Sequence, residues 1–237
     1  MSEARTISLR RPPVLVAVEG RFVPRDVALD EVDAGWQALC AENPRYFDGS
    51  LLHVLGTSRN GHGGVQIHVQ ECSYRFYAVQ KPHAGRAALD CGVRPLGVKG
   101  IAVRGDMVLV GRRAAKVAFY PGLWEFVPGG GLEPGAKPAE QVVRELEEEA
   151  RLRPDGGATA VALLYDPHAF TWEIVHALRL AAGAMPEIGW EYDEFAFVAP
   201  DALPEPLAPV AAQMAGIARQ AARRLSGGRS DGAPPAP

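Results

Sequence analysis

Cysteine is scarce. Cys40, Cys72 and Cys91 are scattered through 237 residues and form no CxxC pair, so neither a zinc site nor a disulfide framework is indicated. No apolar run approaches the roughly 18 residues that a membrane-spanning helix needs. There is no excess of positive charge, since 25 Lys and Arg against 28 Asp and Glu leave a net charge of −3. That balance argues against nucleic acid or an anionic membrane as the main partner. The N-terminal stretch "MSEARTISLRRPP" lacks the apolar segment of a signal peptide, and a cytoplasmic location is expected. The six histidines, His53, His62, His68, His83, His168 and His176, show no metal-ligand spacing. What remains is ordinary globular composition, 47% hydrophobic and 22% charged. The length suits one large domain or two small ones.

Periodicity divides the chain. Residues 14–18 (VLVAV) read as a short buried strand. Residues 26–40 suit an amphipathic helix with Val32, Trp36, Leu39 and Cys40 at helical spacing, stopped at "ENPRYFDGS" because Pro44 disfavours helix at Asn43. "LLHVLG", "GVQIHVQE" and "YRFYAVQK" read as strands. These make an N-terminal α+β region over 1–90. A strand-rich second region, 91–206, opens with "LGVKGIAVRG" and "DMVLVGRR", a hairpin turning at Gly105–Asp106. "LWEFVPGGG" runs into a glycine turn, and a helix over 138–150 starts with Pro138 in its first turn. "ATAVALLYDP", "TWEIVHALRL" and "EYDEFAFVAP" are further strands. A C-terminal helix spans 207–226, and the Gly/Pro/Ser-rich tail over 227–237 is expected to be disordered.

The helix over 138–150 carries the chemistry. Ala139, Val142, Val143, Leu146 and Ala150 share one face, taken as the buried one. Glu145, Glu148 and Glu149 lie at i, i+3 and i+4, so they project together on an adjacent face. Arg144 has Glu140 and Glu148 one turn away as partners. As plain helix design this is poor. Glu145 and Glu149 repel, and Glu147 to Glu149 crowd the negative end of the helix dipole, each effect costing about a few tenths of a kcal/mol to 1 kcal/mol. A divalent cation turns the repulsion into a ligand set, and oxygen ligands suit Mg²⁺ or Mn²⁺. A solvated acidic face is the commoner fate of three glutamates. The preceding Gly129, Gly130, Gly131 and Gly135 shift the balance, because they let the backbone approach an anion beside the helix N-terminus.

The stretch "GGLEPGAKPAEQVVRELEEEARL" resembles the Nudix box, G-x5-E-x7-R-E-U-x-E-E-x-G-U, where U is a bulky apolar residue. The opening glycine falls on Gly130, "RE" on Arg144 and Glu145, U on Leu146, "EE" on Glu148 and Glu149, and the closing apolar residue on Leu152. Two positions depart from the pattern. The first box glutamate falls on Ala136, for which Glu133 or Glu140 are candidate substitutes, and the closing glycine falls on Arg151. A glycine there commonly supplies a left-handed cap, so a different or more strained exit is expected. A fainter similarity, "NPRYFDG" ahead of a strand-rich segment, is to the UDP-sugar diphosphatase branch of the family.

The resemblance implies an α+β fold, a Nudix-type α/β/α sandwich with a mixed sheet, preceded by the smaller strand-rich N-terminal region. It implies hydrolysis of a nucleoside diphosphate linked to another moiety, a nucleotide sugar being favoured. Water attacks phosphorus, giving a nucleotide and a phosphorylated product. The alternative is a catalytically weak or inactive Nudix-fold module that binds or regulates through a ligand. Glu145, Glu148 and Glu149 match the metal ligands, with Mg²⁺ or Mn²⁺ as cofactor. Glu149 is the favoured base, and Arg144 belongs to the catalytic set. Glu191, Asp193 and Glu194 are later-loop candidates for the base, Glu194 being retained as catalytic. Arg112 and Arg113, after the "MVLVG" strand, are candidate phosphate contacts, with Gly130 and Gly131 beside them. Trp124, Phe126, Trp172 and Tyr192 either include a base-stacking platform or belong to the core. The partner is a small diphosphate substrate, with no nucleic acid and no membrane, and a homodimer is left open.

Overall fold

The computed structural model describes residues 3–81 and 87–227. In chain order its elements are β1 (Arg5–Ser8), β2 (Val14–Phe22), α1 (Leu29–Glu42), β3 (Ser50–Arg59), β4 (Val65–Ser73) and α2 (Tyr74–Gln80). Then follow β5 (Leu96–Arg104), β6 (Met107–Arg113), β7 (Trp124–Phe126), β8 (Gly129–Gly131) and α3 (Pro138–Ala150). The chain closes with β9 (Thr159–Asp166), β10 (Thr171–Arg179), β11 (Tyr192–Val198) and α4 (Pro209–Ser226). No described helix is long and apolar enough to cross a membrane.

The larger sheet runs β1-β9-β10-β5-β6-β11, with β8 paired to β5 and β7 to β6. Its β10–β5 pairing is parallel and the rest antiparallel, so the sheet is mixed. The strands are apolar on both faces. In β9, Leu163 and Tyr165 enter one core cluster while Ala162 and Leu164 enter another; β10 divides Ile174 and Leu178 from Val175 and Ala177 in the same way. A sheet with two apolar faces must be covered twice. One cover is α3, through Val142, Leu146 and Ala150. The other is α4, through Val210, Met214, Ala218 and Ala221. This is the α/β/α sandwich with a mixed sheet. Each fully buried Leu or Val on these faces contributes about 1.5–3 kcal/mol relative to exposure.

The smaller sheet, β2-β4-β3, packs with α1 and α2 around Val32, Leu39, Phe76 and Val79. His53 ties it to the larger sheet. The Arg94 N–H donates to His53 Nδ1 at 2.9 Å, and Val54 N donates to the Arg94 carbonyl at 2.8 Å.

Two expectations are corrected, and one strand is added. The segment from Tyr74 is a helix, not a strand. Its aromatic and β-branched residues favour a strand locally, but Asp48 takes hydrogen bonds from the Ser73 hydroxyl (2.6 Å) and the Arg75 N–H (3.0 Å) and so fixes a helical first turn. That cap comes from about 25 residues away, so no local pattern carries it. The strand foreseen at 14–18 extends to Phe22 and is largely exposed rather than buried. Arg5–Ser8, given no structure from the sequence, pairs with β9 at the edge of the larger sheet. The tail beyond residue 227 lies outside the described residues.

Candidate active site

Position in the fold explains the glycine turn. Gly129–Gly131 form β8, lying antiparallel on β5 with Lys99 opposite Gly129 and Val98 opposite Gly130. The turn was expected beside the N-terminus of the acidic helix. It instead meets the last two turns of α3, where the Gly129 N–H donates to Glu149 Oε2 at 3.2 Å. A Cβ at Gly130 would collide with the Glu145 carboxylate, and one at Gly129 with the Lys99 ammonium. Glycine here leaves room for those charged groups to approach the backbone, rather than supplying an unusual φ.

The three glutamates part company. Glu149 is buried and Glu145 half-buried, both turned toward the sheet, while Glu148 is exposed with its carboxylate 3.9 Å from Arg144. Glu145 is held by a relay. Arg144 donates to Glu133 at 2.8 Å and to the Gln141 side-chain oxygen, and the Gln141 amide donates to Glu145 Oε1 at 2.5 Å. Glu133 therefore supplies a carboxylate to Arg144 where Ala136 has none. Glu140 instead pairs with Lys137. The helix ends on Arg151 in the left-handed region at φ +55°, with its N–H bonded to the Glu147 carbonyl at 3.0 Å. The conformation that a glycine would favour is kept, at the steric cost of a side chain.

Behind Glu149 lies a charged layer in which sequence reasoning had named Arg113, Glu191 and Tyr192 but missed Lys99, Glu125 and Glu173. Lys99 donates to Glu125 at 2.6 Å, Arg113 lies 3.3 Å from Glu125 and 3.0 Å from Glu191, and the Tyr192 hydroxyl donates to Glu125 at 3.0 Å. Burial disfavours the charge on Glu125, but Lys99 and Arg113 outweigh it and hold its carboxyl below the usual range. Burial, then Glu125 and Glu191, push Glu149 well above that range. Burial also raises Glu145, with Glu148 and Glu191 adding to it against the hydrogen bond from Gln141. Burial is the chief cause lifting Glu173 to about 7, and its Oε2 is buried with no hydrogen-bond partner among the described residues. Glu173 Oε2 stands against Gly97, where a Cβ would meet it at 2.5 Å. One signal was available. Lys99, Glu125 and Glu173 are each a charge inside an otherwise apolar strand, in "GVKGIAV", "LWEFV" and "TWEIV".

Lys99, Arg113, Glu125, Glu173 and Glu191 line a cleft of about 280 Å³. Its floor is Gly129–Gly131 with Glu125 and Glu173, and its walls include Arg113, Glu191, Asp166 and the rings of Tyr77, Phe119 and Tyr120. Tyr77 and Phe119 stack at 6.2 Å, and the Tyr120 hydroxyl donates to Asp166 at 2.5 Å. Two site expectations are corrected here. Glu194 and Arg112 are not at the cleft; they pair with each other at 3.3 Å on an exposed part of β11 and β6. Adjacent strand residues point to opposite faces, so Arg113 faces the cleft and Arg112 does not. Asp193 is exposed, whereas Glu191 is in the wall. Trp124, Phe126, Trp172 and Tyr192 are all buried, and the rings that face the cleft are others.

The donor set suits a hard divalent cation in part. Glu145 and Glu149 offer oxygen donors, and burial above all, with neighbouring carboxylates adding to it, raises both carboxyls above the usual range. Among the described residues no three Asp, Glu, His or Cys side chains converge to ligating distance. Glu145 and Glu149 both meet the glycine strand, while Glu148 stands beside Arg144.

Residues 93–220 match the family model described as the NUDIX domain. No curated protein matches. Among solved structures, a MutT NUDIX hydrolase from Burkholderia pseudomallei is 24% identical, over 51% of this chain and 95% of that one, with a TM-score of 0.42. The NUDIX domain of Shewanella oneidensis NrtR, complexed with ADP ribose, is 20% identical over 63% and 95%, with a TM-score of 0.44. An ADP-ribose pyrophosphatase from Streptococcus suis is 24% identical over 54% and 91%, with a TM-score of 0.42.

Proposed function

Because this chain belongs to the Nudix family, we propose that it is a cytoplasmic, divalent-metal-dependent hydrolase of a nucleoside diphosphate linked to a second moiety. One observation carries the reading. The carboxylates of Glu145 and Glu149 lie against the bare backbone of Gly129–Gly131, and those same glycines line a cleft that also holds Lys99 and Arg113. Glu145, Glu149 and, after rotation, Glu148 would hold Mg²⁺ or Mn²⁺. A bound cation supplies neutralisation of the diphosphate and of charge growing on the leaving oxygen. Glu149 orients the attacking water and takes its proton on a carboxylate oxygen, and Glu191 is the second candidate for that role. As the new P–O bond forms, the P–O bond to the leaving phosphate breaks, and the products are a nucleotide and a phosphorylated second moiety. Arg144 acts through Gln141 to position Glu145.

A nucleotide sugar is the favoured substrate. The "NPRYFDG" segment supports it, as do Glu173 and Asp166, acceptors lining the cleft and suited to sugar hydroxyls. The test is a panel of UDP-sugars, ADP-ribose, dinucleoside polyphosphates and prenyl diphosphates with Mg²⁺ or Mn²⁺, followed by release of nucleoside monophosphate. Turnover is expected on nucleotide sugars. Binding without turnover on every member would replace the enzyme reading with that of a ligand-binding module.

A further inference from the structure

Three cations line the cleft: Lys81, Lys99 and Arg113. Lys99 is paired with Glu125, and Arg113 with Glu125 and Glu191. Lys81, directly after α2, is different. Among the described residues it has no carboxylate partner. Its ammonium lies 3.5 Å from the Phe119 ring centroid, 4.2 Å from that of Tyr77 and 6.0 Å from that of Tyr74. Aromatic faces hold a cation but accept none of its three N–H bonds in the way an anion does. Enclosure lowers its pKa to about 7, with no neighbouring charge opposing the shift.

Lys81 also lines a second depression, of about 540 Å³, that opens beside the cleft. Arg45, Arg113 and Lys116 line it too, together with the exposed rings of Phe47 and Trp190. Among the described residues no acidic residue lines it. In a chain of net charge −3, a wall with Arg45, Lys81 and Lys116 beside the paired Arg113, and no carboxylate among the described residues, is a local reversal of sign, and it adjoins a cleft rich in carboxylates.

We propose that this basic, ring-lined depression binds an anionic group carried by the second moiety of the substrate, with Lys81 as the specificity-determining contact. This rests on the diphosphatase reading and extends it, because it gives the N-terminal region over 1–90 a part in substrate selection. The anion has two chemical sources, a carboxylate on a sugar or a further phosphate. The carboxylate is tested by comparing a nucleoside diphosphate hexose with the corresponding uronate, the phosphate by a dinucleoside polyphosphate.

The experiment measures kcat/KM on these three substrates for the wild-type chain, Lys81→Met and Lys81→Arg. Methionine keeps the length and packs well against aromatic faces. A charge-assisted contact of about 1.5–3 kcal/mol corresponds to roughly tenfold or more. The wild type is therefore expected to prefer at least one anionic substrate over the neutral hexose by that factor. Lys81→Met should erase the preference and Lys81→Arg should retain most of it. Equal rates on all three substrates in the wild type, or a preference intact in Lys81→Met, would overturn the proposal. Should Lys81→Met fail to fold, Lys116→Ala on the exposed rim is read in its place and must lower the preference severalfold. A second arm needs no catalysis: calorimetry with inorganic phosphate and no metal, expected to show binding that Lys81→Met weakens about tenfold. No turnover with Lys81-dependent phosphate binding would sink the enzyme reading alone. Turnover without such binding would sink the anion site alone.

Discussion

At the scale of single residues, the site depends on who holds Glu145. The relay from Glu133 through Arg144 and Gln141 lies outside the reach of solvent-exposed ion-pair arithmetic, because its effect is to orient a ligand. Removing such an outer partner commonly costs about tenfold or more in metal affinity. Glu133→Ala is therefore expected to raise the Mg²⁺ concentration for half-maximal rate by about that factor. Ala136→Glu alone should leave it unchanged, since Arg144 already has its carboxylate, and should rescue the Glu133→Ala variant. A lowered requirement in Ala136→Glu alone would mean that Glu133 does not fill the gap. The sequence made Ala136 conspicuous and offered Glu133 as a substitute, but only the folded loop brings Glu133 to Arg144. Glu125, Lys99 and Glu173 were visible as charges in apolar strands; their partners, on β6, β11 and each other, were not.

At the scale of elements, α3 was readable almost to the residue, because Pro138 marks its start and its apolar stripe repeats at 3.6 residues. Its end was harder. Arg151 at φ +55° carries a strain of about 1–2 kcal/mol that glycine lacks, partly offset by the entropy that glycine loses on folding. Arg151→Gly should thus stabilise the protein by about 1 kcal/mol, measured as a shift in urea midpoint at constant slope. A destabilised variant would show that the arginine side chain makes a compensating contact. The misread element was α2, whose residues favour a strand and whose helical start is fixed by Asp48. Long-range caps of that kind leave no periodic trace. The hairpin at Gly105 and the strands β9 and β10 were legible because turn chemistry and burial agreed there.

At the scale of the whole molecule, the two sheets meet through His53, and the larger sheet encloses His176. Both are buried, at 5% and 1% exposure, and burial lowers each pKa from 6.5 to about 4. The unfolded chain binds protons at both sites below about pH 6.5, while the folded chain does so only near 4. The stability they contribute is present above the unfolded pKa and is lost as pH falls from 6.5 toward 4. The loss approaches about 3 kcal/mol for each group. Protonated His53 also ceases to accept from the Arg94 N–H. Chemical denaturation should show stability falling over that window, with His53→Asn flattening the slope; a flat profile in the wild type would show that the histidines titrate freely. The sandwich itself was legible from strand patterning and the box. The apposition of the N-terminal region to the cleft was not, because it depends on where α2 and Phe119 meet.

The most direct measurement is the initial rate of nucleoside monophosphate release from a nucleotide sugar at saturating Mg²⁺, in the wild type, Glu149→Gln and Glu194→Gln. Loss of a positioned acid–base carboxylate lowers the rate by about a hundredfold or more, and that is expected of Glu149→Gln. Glu194, paired with Arg112 on an exposed strand, should stay within about twofold, as surface substitutions do. Equal rates for Glu149→Gln and the wild type, or a deeper loss in Glu194→Gln, would move the chemistry away from the glycine turn.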